Sequence, residues 1–127
     1  MIRIVLDLPG DFYTEELGNR LKATGNFRVS VLDRRKSAVS EQLGSASADE
    51  VLLGISSLAG FSFEERIITI REIKNSFPSL KIMVFCDDGV PKDVLEGVKV
   101  LKQVKLIDGF FYTSVSIDYI IDMLESA

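Results

Sequence analysis

The side chains in this sequence best placed to do chemistry are carboxylates that follow apolar runs. Asp7 comes after Ile2, Ile4, Val5 and Leu6, and Asp87 with Asp88 comes after the run from Ile82 to Phe85. Carboxylates converging from two such runs could form a weak acidic pocket and hold a cation. The simpler and preferred reading gives Asp88 or Gly89 to a turn that caps a helix opened by Pro91, because Asp is a favoured N-cap. Cys86 could sense oxidants or alkylating agents. With no histidine in the chain to depress its pKa, it reads instead as a small buried residue. Ser56 and Ser57 carry hydroxyls, but a serine nucleophile needs an activating base. Arg34, Arg35 and Lys36 form the only basic run and sit beside Asp33, a pattern more typical of a solvated helix start than of a binding patch.

Composition narrows the chemistry further. The 127 residues are 46% hydrophobic and 27% charged, which fits a single domain over 1–127 with one core. Nineteen acids against fifteen bases give a net charge of −4, so direct nucleic-acid binding is not expected. A lone cysteine and no histidine leave no zinc site and no intramolecular disulfide. No metal or cofactor is therefore expected. No apolar run approaches the roughly eighteen residues of a membrane span, and the start of the chain lacks signal-peptide features. The expectation is a cytoplasmic protein without membrane insertion.

These residues are positioned by alternating elements. Apolar runs at 2–6, 27–31, 51–55, 82–85 and 106–112 read as strands, the third buried on both faces. Between and after them lie helices. Phe12, Leu17 and Leu21 share one face of a helix over 12–24, which Gly25 stops. A polar, weakly helical stretch covers 34–46. Phe63, Ile67, Ile70 and Ile73 form the stripe of a helix that ends before Pro78, with Glu64, Glu65, Arg71 and Lys74 opposite. Val94, Leu95, Val98 and Leu101 mark a helix from Pro91, and 117–124 is the last. Strict βα alternation implies an α/β fold, a five-stranded parallel sheet covered on both faces, of order 2-1-3-4-5 and flavodoxin-like. Ligands of such sheets bind beyond the strand C-termini, here after Leu6, Leu53, Phe85 and Tyr112.

Several of these segments resemble the receiver domain of bacterial response regulators, over essentially the whole chain. Residues 49–55 are similar to the family's third strand, and Gly54 stands where that strand carries the phosphoryl-accepting aspartate. Residues 78–86 resemble the fourth strand, with Cys86 in place of its usual Thr or Ser. Residues 107–113 resemble the fifth, with Phe110 at the switch aromatic and Thr113 where the family has lysine. Leu8 and Pro9 fall on the acidic pair that holds magnesium, and a one-residue slip recovers only Asp7. The resemblance implies the fold while arguing against the chemistry, since aspartyl phosphorylation needs a carboxylate nucleophile, a metal and a cation. It implies an atypical receiver, a pseudo-receiver that is not an enzyme.

In that family the face made by the fourth helix, fifth strand and fifth helix carries dimerisation and output. Lys99 and Lys102 on one helix and Asp118 and Asp122 on the other offer complementary charges, and Phe111 and Tyr119 add aromatic surface. The expectation is a phosphorylation-independent module that binds a protein partner or dimerises. Degenerate receivers of this kind resemble those at the N-terminus of pilus-localisation ATPases and of some transcription regulators, so a C-terminal effector domain is an expectation too. The alternative is a flavodoxin-like enzyme or small-ligand-binding domain using the strand-end crevice. Against a nucleotide, Pro9, Gly10 and Asp11 put an acid where a phosphate would sit.

Overall fold

A computed structural model describes residues 1–126, excluding the side chains of Asp11 and Phe12. The expectations that Phe12 joins an apolar helix face and that the Asp11 acid opposes a phosphate fall outside the described residues. In chain order the elements are β1 (Ile2–Asp7), α1 (Asp11–Ala23), β2 (Phe27–Val31), α2 (Val39–Ser45), β3 (Glu50–Ile55), α3 (Phe63–Ser76), β4 (Lys81–Cys86), α4 (Lys92–Gln103), β5 (Gly109–Tyr112) and α5 (Ile117–Ser126). All strand pairs are parallel and the sheet order is β2-β1-β3-β4-β5. This is the flavodoxin-like topology expected from the βα alternation.

Successive side chains of a strand point to opposite faces, which divides the core in two. Ile4, Leu6, Leu52, Met83, Phe85 and Phe111 pack with Leu17, Leu21, Ile120 and Leu124 from α1 and α5. Val5, Val51, Leu53, Ile82 and Val84 pack with Leu43, Ile70, Ile73, Val98 and Leu101 from α2, α3 and α4. On α4, Gly97 allows a close approach: a Cβ there would lie 2.5 Å from Cζ of Phe63.

Three boundaries differ from those read in the sequence. The second helix starts at Val39 rather than at Arg34. Gln42 holds the preceding residues as a turn, accepting from the Asp33 N–H at 2.9 Å and donating to the carbonyls of Asp33 at 2.6 Å and Ser37 at 2.9 Å. The fifth strand starts at Gly109 rather than at Leu106. Leu106 donates its N–H to the Leu101 carbonyl at 2.9 Å, so it finishes α4 instead of joining the sheet. Pro91 is the N-cap of α4, extended at φ −58° and ψ 153°, and neither Asp88 nor Gly89 caps the helix. No described helix is long and apolar enough to cross a membrane.

Candidate functional site at the strand ends

The C-terminal ends of β1, β3, β4 and β5 converge where ligands of such sheets bind. β1 runs through Asp7 into Leu8, Pro9 and Gly10, the last at φ 88°, a conformation that glycine tolerates. This turn folds over β3. A Cβ on Gly54 would stand 2.4 Å from the Pro9 Cδ and 3.2 Å from the Leu8 Cα. Leu8 is itself part of the core between the sheet and α1. No side chain can therefore be placed at Gly54 without moving the β1–α1 turn.

Asp7 is buried and is neutralised by two guanidiniums. Arg66, on α3 and only 1% exposed, donates from Nη1 to the Asp7 carboxylate at 2.7 Å. Its Nε reaches the Gly54 carbonyl at 2.7 Å and its Nη2 the Asp7 carbonyl at 2.9 Å. Arg34 binds the same carboxylate through Nε at 3.2 Å and Nη2 at 2.9 Å, and donates from Nη1 to the Gly60 carbonyl at 2.9 Å. The Phe61 ring faces both cations, with its centroid 4.0 Å from the Arg34 Cζ and 4.9 Å from the Arg66 Cζ. Burial pulls the Arg66 guanidinium below its ordinary pKa and Asp7 opposes the shift. Arg66 stays charged, as arginine does throughout proteins. One carboxylate and two guanidiniums leave a net charge of +1 around Asp7, a hostile setting for a divalent cation.

Asp87 and Asp88 shape a turn instead. The Asp87 Oδ1 accepts from the Gly89 N–H at 3.0 Å, and the Asp88 N–H donates to the Thr113 Oγ1 at 3.2 Å. With the Thr113 N–H on the Cys86 carbonyl at 3.0 Å, this turn ties the end of β4 to that of β5. Among the described residues, no three acids, cysteines or histidines are grouped to hold a metal. The acidic pocket of Asp7, Asp87 and Asp88 is thus corrected: Asp7 is given over to arginine. Cys86 is buried, and burial together with Asp88 pushes its thiol up to about 12, so it carries almost no thiolate near neutrality.

The sequence reading missed Arg66 and took Arg34 for solvated surface. A signal for Arg66 existed, since it lies four residues before Ile70 and seven before Ile73, on the apolar stripe of α3. A charge on that stripe needs a buried partner. Asp7, at the end of an apolar strand, is such a partner.

The α4–β5–α5 face carries the other predicted residues. Phe111 is 3% exposed and packs edge-on against Tyr119 at 6.3 Å between ring centroids, so it belongs to the core rather than to a contact surface. Phe110 and Tyr112 point to the opposite layer and pack edge-on against each other at 5.7 Å. Tyr119 is 46% exposed. Lys102, Tyr119 and Met123 line a groove of about 570 Å³ along β5. Asp118 pairs with Arg20 on α1, and the Lys99 Nζ with Glu96 at 3.5 Å, so two of the four predicted interface charges already have partners in the chain. Asp122 is exposed on α5.

No protein-family model matches the sequence, and no curated protein matches it. Solved structures do. A LuxR-family DNA-binding response regulator from Staphylococcus aureus matches with a TM-score of 0.75 and 13% identity, covering 99% of this chain and 98% of that one. The chain has the receiver fold. A response regulator receiver protein from Pseudomonas putida gives 0.72 at 17% identity, covering 99% and 97%. A CheY-like protein, TadZ, from Pseudomonas aeruginosa gives 0.73 at 11% identity, covering 99% and 98%. Each receiver-like match spans the whole alternation from β1 to α5.

Proposed function

We propose that this chain is a receiver-like regulatory module that works without aspartyl phosphorylation and acts by binding a protein partner or a second copy of itself. The observation that carries the reading is the closed strand-end site. Pro9 occupies the space a side chain at position 54 would need, and Arg66 bridges Asp7 to the Gly54 carbonyl. Gly54 supplies no nucleophile, Cys86 and Thr113 occupy the other reactive positions of the resemblance, and the Asp7 carboxylate is already paired with two guanidiniums. Among the described residues at this site, no hydroxyl or thiol is activated as a nucleophile by a neighbouring base, which weighs against an enzymatic role. The module is assigned to the cytoplasm.

The contact surface in this proposal is the α4–β5–α5 face. Tyr119 and Lys102 are its accessible anchors, while Phe111 supports Tyr119 from beneath. Incubation with acetyl phosphate or beryllofluoride plus magnesium, read by mass spectrometry and amide NMR, tests the first part. No covalent addition and no spectral change are expected; stoichiometric, saturable modification of a defined residue overturns phosphorylation independence. Sedimentation of the wild type against Tyr119→Ala and Lys102→Glu tests self-association. The wild type is expected to dimerise and both variants to dissociate, and three identical monomers would remove the homodimer.

A further inference from the structure

The turn that closes the acceptor position leaves a cleft beside it, of about 380 Å³, across the ends of β1, β3, β4 and β5. We propose that this cleft binds a compact, uncharged aromatic molecule carrying both a hydrogen-bond donor and an acceptor. The proposal stands on the cleft itself and holds whether or not the module dimerises.

Its walls are apolar. Leu8, Pro9 and Ile55 line it together with Phe85, and Leu58 stands at 57% exposure, a leucine left in water. The Tyr13 ring lies 5.2 Å from that of Phe85 with a 38° tilt, giving the cleft an aromatic wall. The volume lies within the span of small-molecule sites, and the position is where open α/β sheets bind ligands.

Its polar groups are few and incompletely used. The Tyr13 hydroxyl is buried with no hydrogen-bond partner among the described residues. Ser56 is buried, and its Oγ accepts from the Leu58 N–H at 3.1 Å while its own hydrogen reaches no described acceptor. Thr113 stands exposed at the rim, its Oγ1 accepting from the Asp88 N–H at 3.2 Å. Buried polar groups are ordinarily satisfied, so the unpartnered Tyr13 hydroxyl, beside a Ser56 hydroxyl with capacity to spare, calls for an acceptor from outside. The Asp87 carboxylate, one oxygen of which takes the Gly89 N–H, calls for a donor.

Charge gives an ion of either sign no advantage. A bound anion would face Asp87, the one charged residue lining the cleft. A bound cation would gain Asp87, but it would leave water for apolar walls and meet the positive excess that Arg34 and Arg66 leave at Asp7 behind the strand ends. A neutral ring with a phenolic O–H aimed at Asp87 and a carbonyl aimed at the hydroxyls meets neither penalty.

Three probes that share a phenol ring separate these cases at pH 6.5: 4-hydroxybenzamide, which is neutral, 4-hydroxybenzoate, an anion, and tyramine, a cation. Each is titrated into the full chain and followed by amide NMR to about 10 mM, enough to detect millimolar binding. The expected result is saturable shifts with the benzamide at Gly10, Tyr13, Ser56, Asp87 and Thr113, and weaker ones with both ions. Thr113→Phe, a change at an exposed rim position, should fill the cleft and abolish the shifts. Asp87→Asn should weaken the benzamide about tenfold, the usual worth of a hydrogen bond to a charged group, and strengthen the benzoate. No saturable shift with any probe overturns the proposal. So do shifts that survive Thr113→Phe, or tighter binding of either ion.

Discussion

The Arg66 guanidinium reaches the carboxylate of Asp7, the carbonyl of Asp7 and the carbonyl of Gly54 at once, joining the ends of β1 and β3 through α3. Three directed hydrogen bonds satisfy two strand-end carbonyls and a buried acid without water. The arrangement is therefore structural before it is anything else. Burial of an ion pair in this way adds little net stability over an apolar pair, yet losing one partner strands the other.

Arg66→Met is accordingly expected to destabilise the fold by about 2–4 kcal/mol, because two buried carbonyls lose their donor and Asp7 is left with Arg34 alone. Asp7→Asn should cost less, since Arg34 and Arg66 keep an acceptor. Combining Asp7→Leu with Arg66→Met should recover much of the single-variant loss. Urea unfolding of the set measures the coupling, and simple additivity would show that the two residues do not act as a unit.

At Gly54 the expectation is loss without gain. Gly54→Ala should cost about 1–3 kcal/mol through overpacking against Pro9, and Gly54→Asp more, because it adds an acid to a filled space. Neither variant should take up phosphate from acetyl phosphate with magnesium. Thermal melts and intact mass on the two proteins check both statements.

Glu50 gives the molecule a pH dependence of its own. It is buried at the N-terminal end of β3 with Oε1 unpartnered, and burial, reinforced by Asp108, raises its pKa to about 7. The folded state thus holds a proton that the unfolded chain releases near 4.5. The stability this contributes is complete below about pH 4.5 and is lost as pH rises through 7. Glu50→Gln should remove that slope and be more stable than the wild type at pH 8.5 by about 1–3 kcal/mol. Melting temperatures at pH 5.5 and 8.5 compare the two, and parallel slopes would rule the assignment out.

Cys86 should resist alkylation. With its thiol at about 12 and buried, iodoacetamide at pH 8 is expected to leave the native protein unmodified for hours and to label it fully in denaturant. Mass spectrometry of native and denatured samples reads the difference.

The strands were legible because each is a short apolar run between turn residues, and their order followed from the βα alternation. What escaped notice depended on contacts between residues far apart in sequence. The start of α2 is decided by the Gln42 side chain reaching back to Asp33. Leu106 and Ile107 are as apolar as a strand requires, yet Leu106 is spent on the end of α4. Arg66 meets Asp7 across 59 positions, and no local pattern announces such a pair. Gly54, by contrast, could be singled out from the sequence because the segment around it is recognisable. What could not be read there was that Pro9 fills the space a side chain at Gly54 would need.

The contact between Pro9 and Gly54 also works as an interlock. An acid placed at position 54 would meet the proline ring until the β1–α1 turn is cleared, and it would find Asp7 committed to two arginines. Clearing the turn and releasing Asp7 each weaken the fold when made alone. A phosphorylatable strand end on this scaffold would therefore need several changes made together.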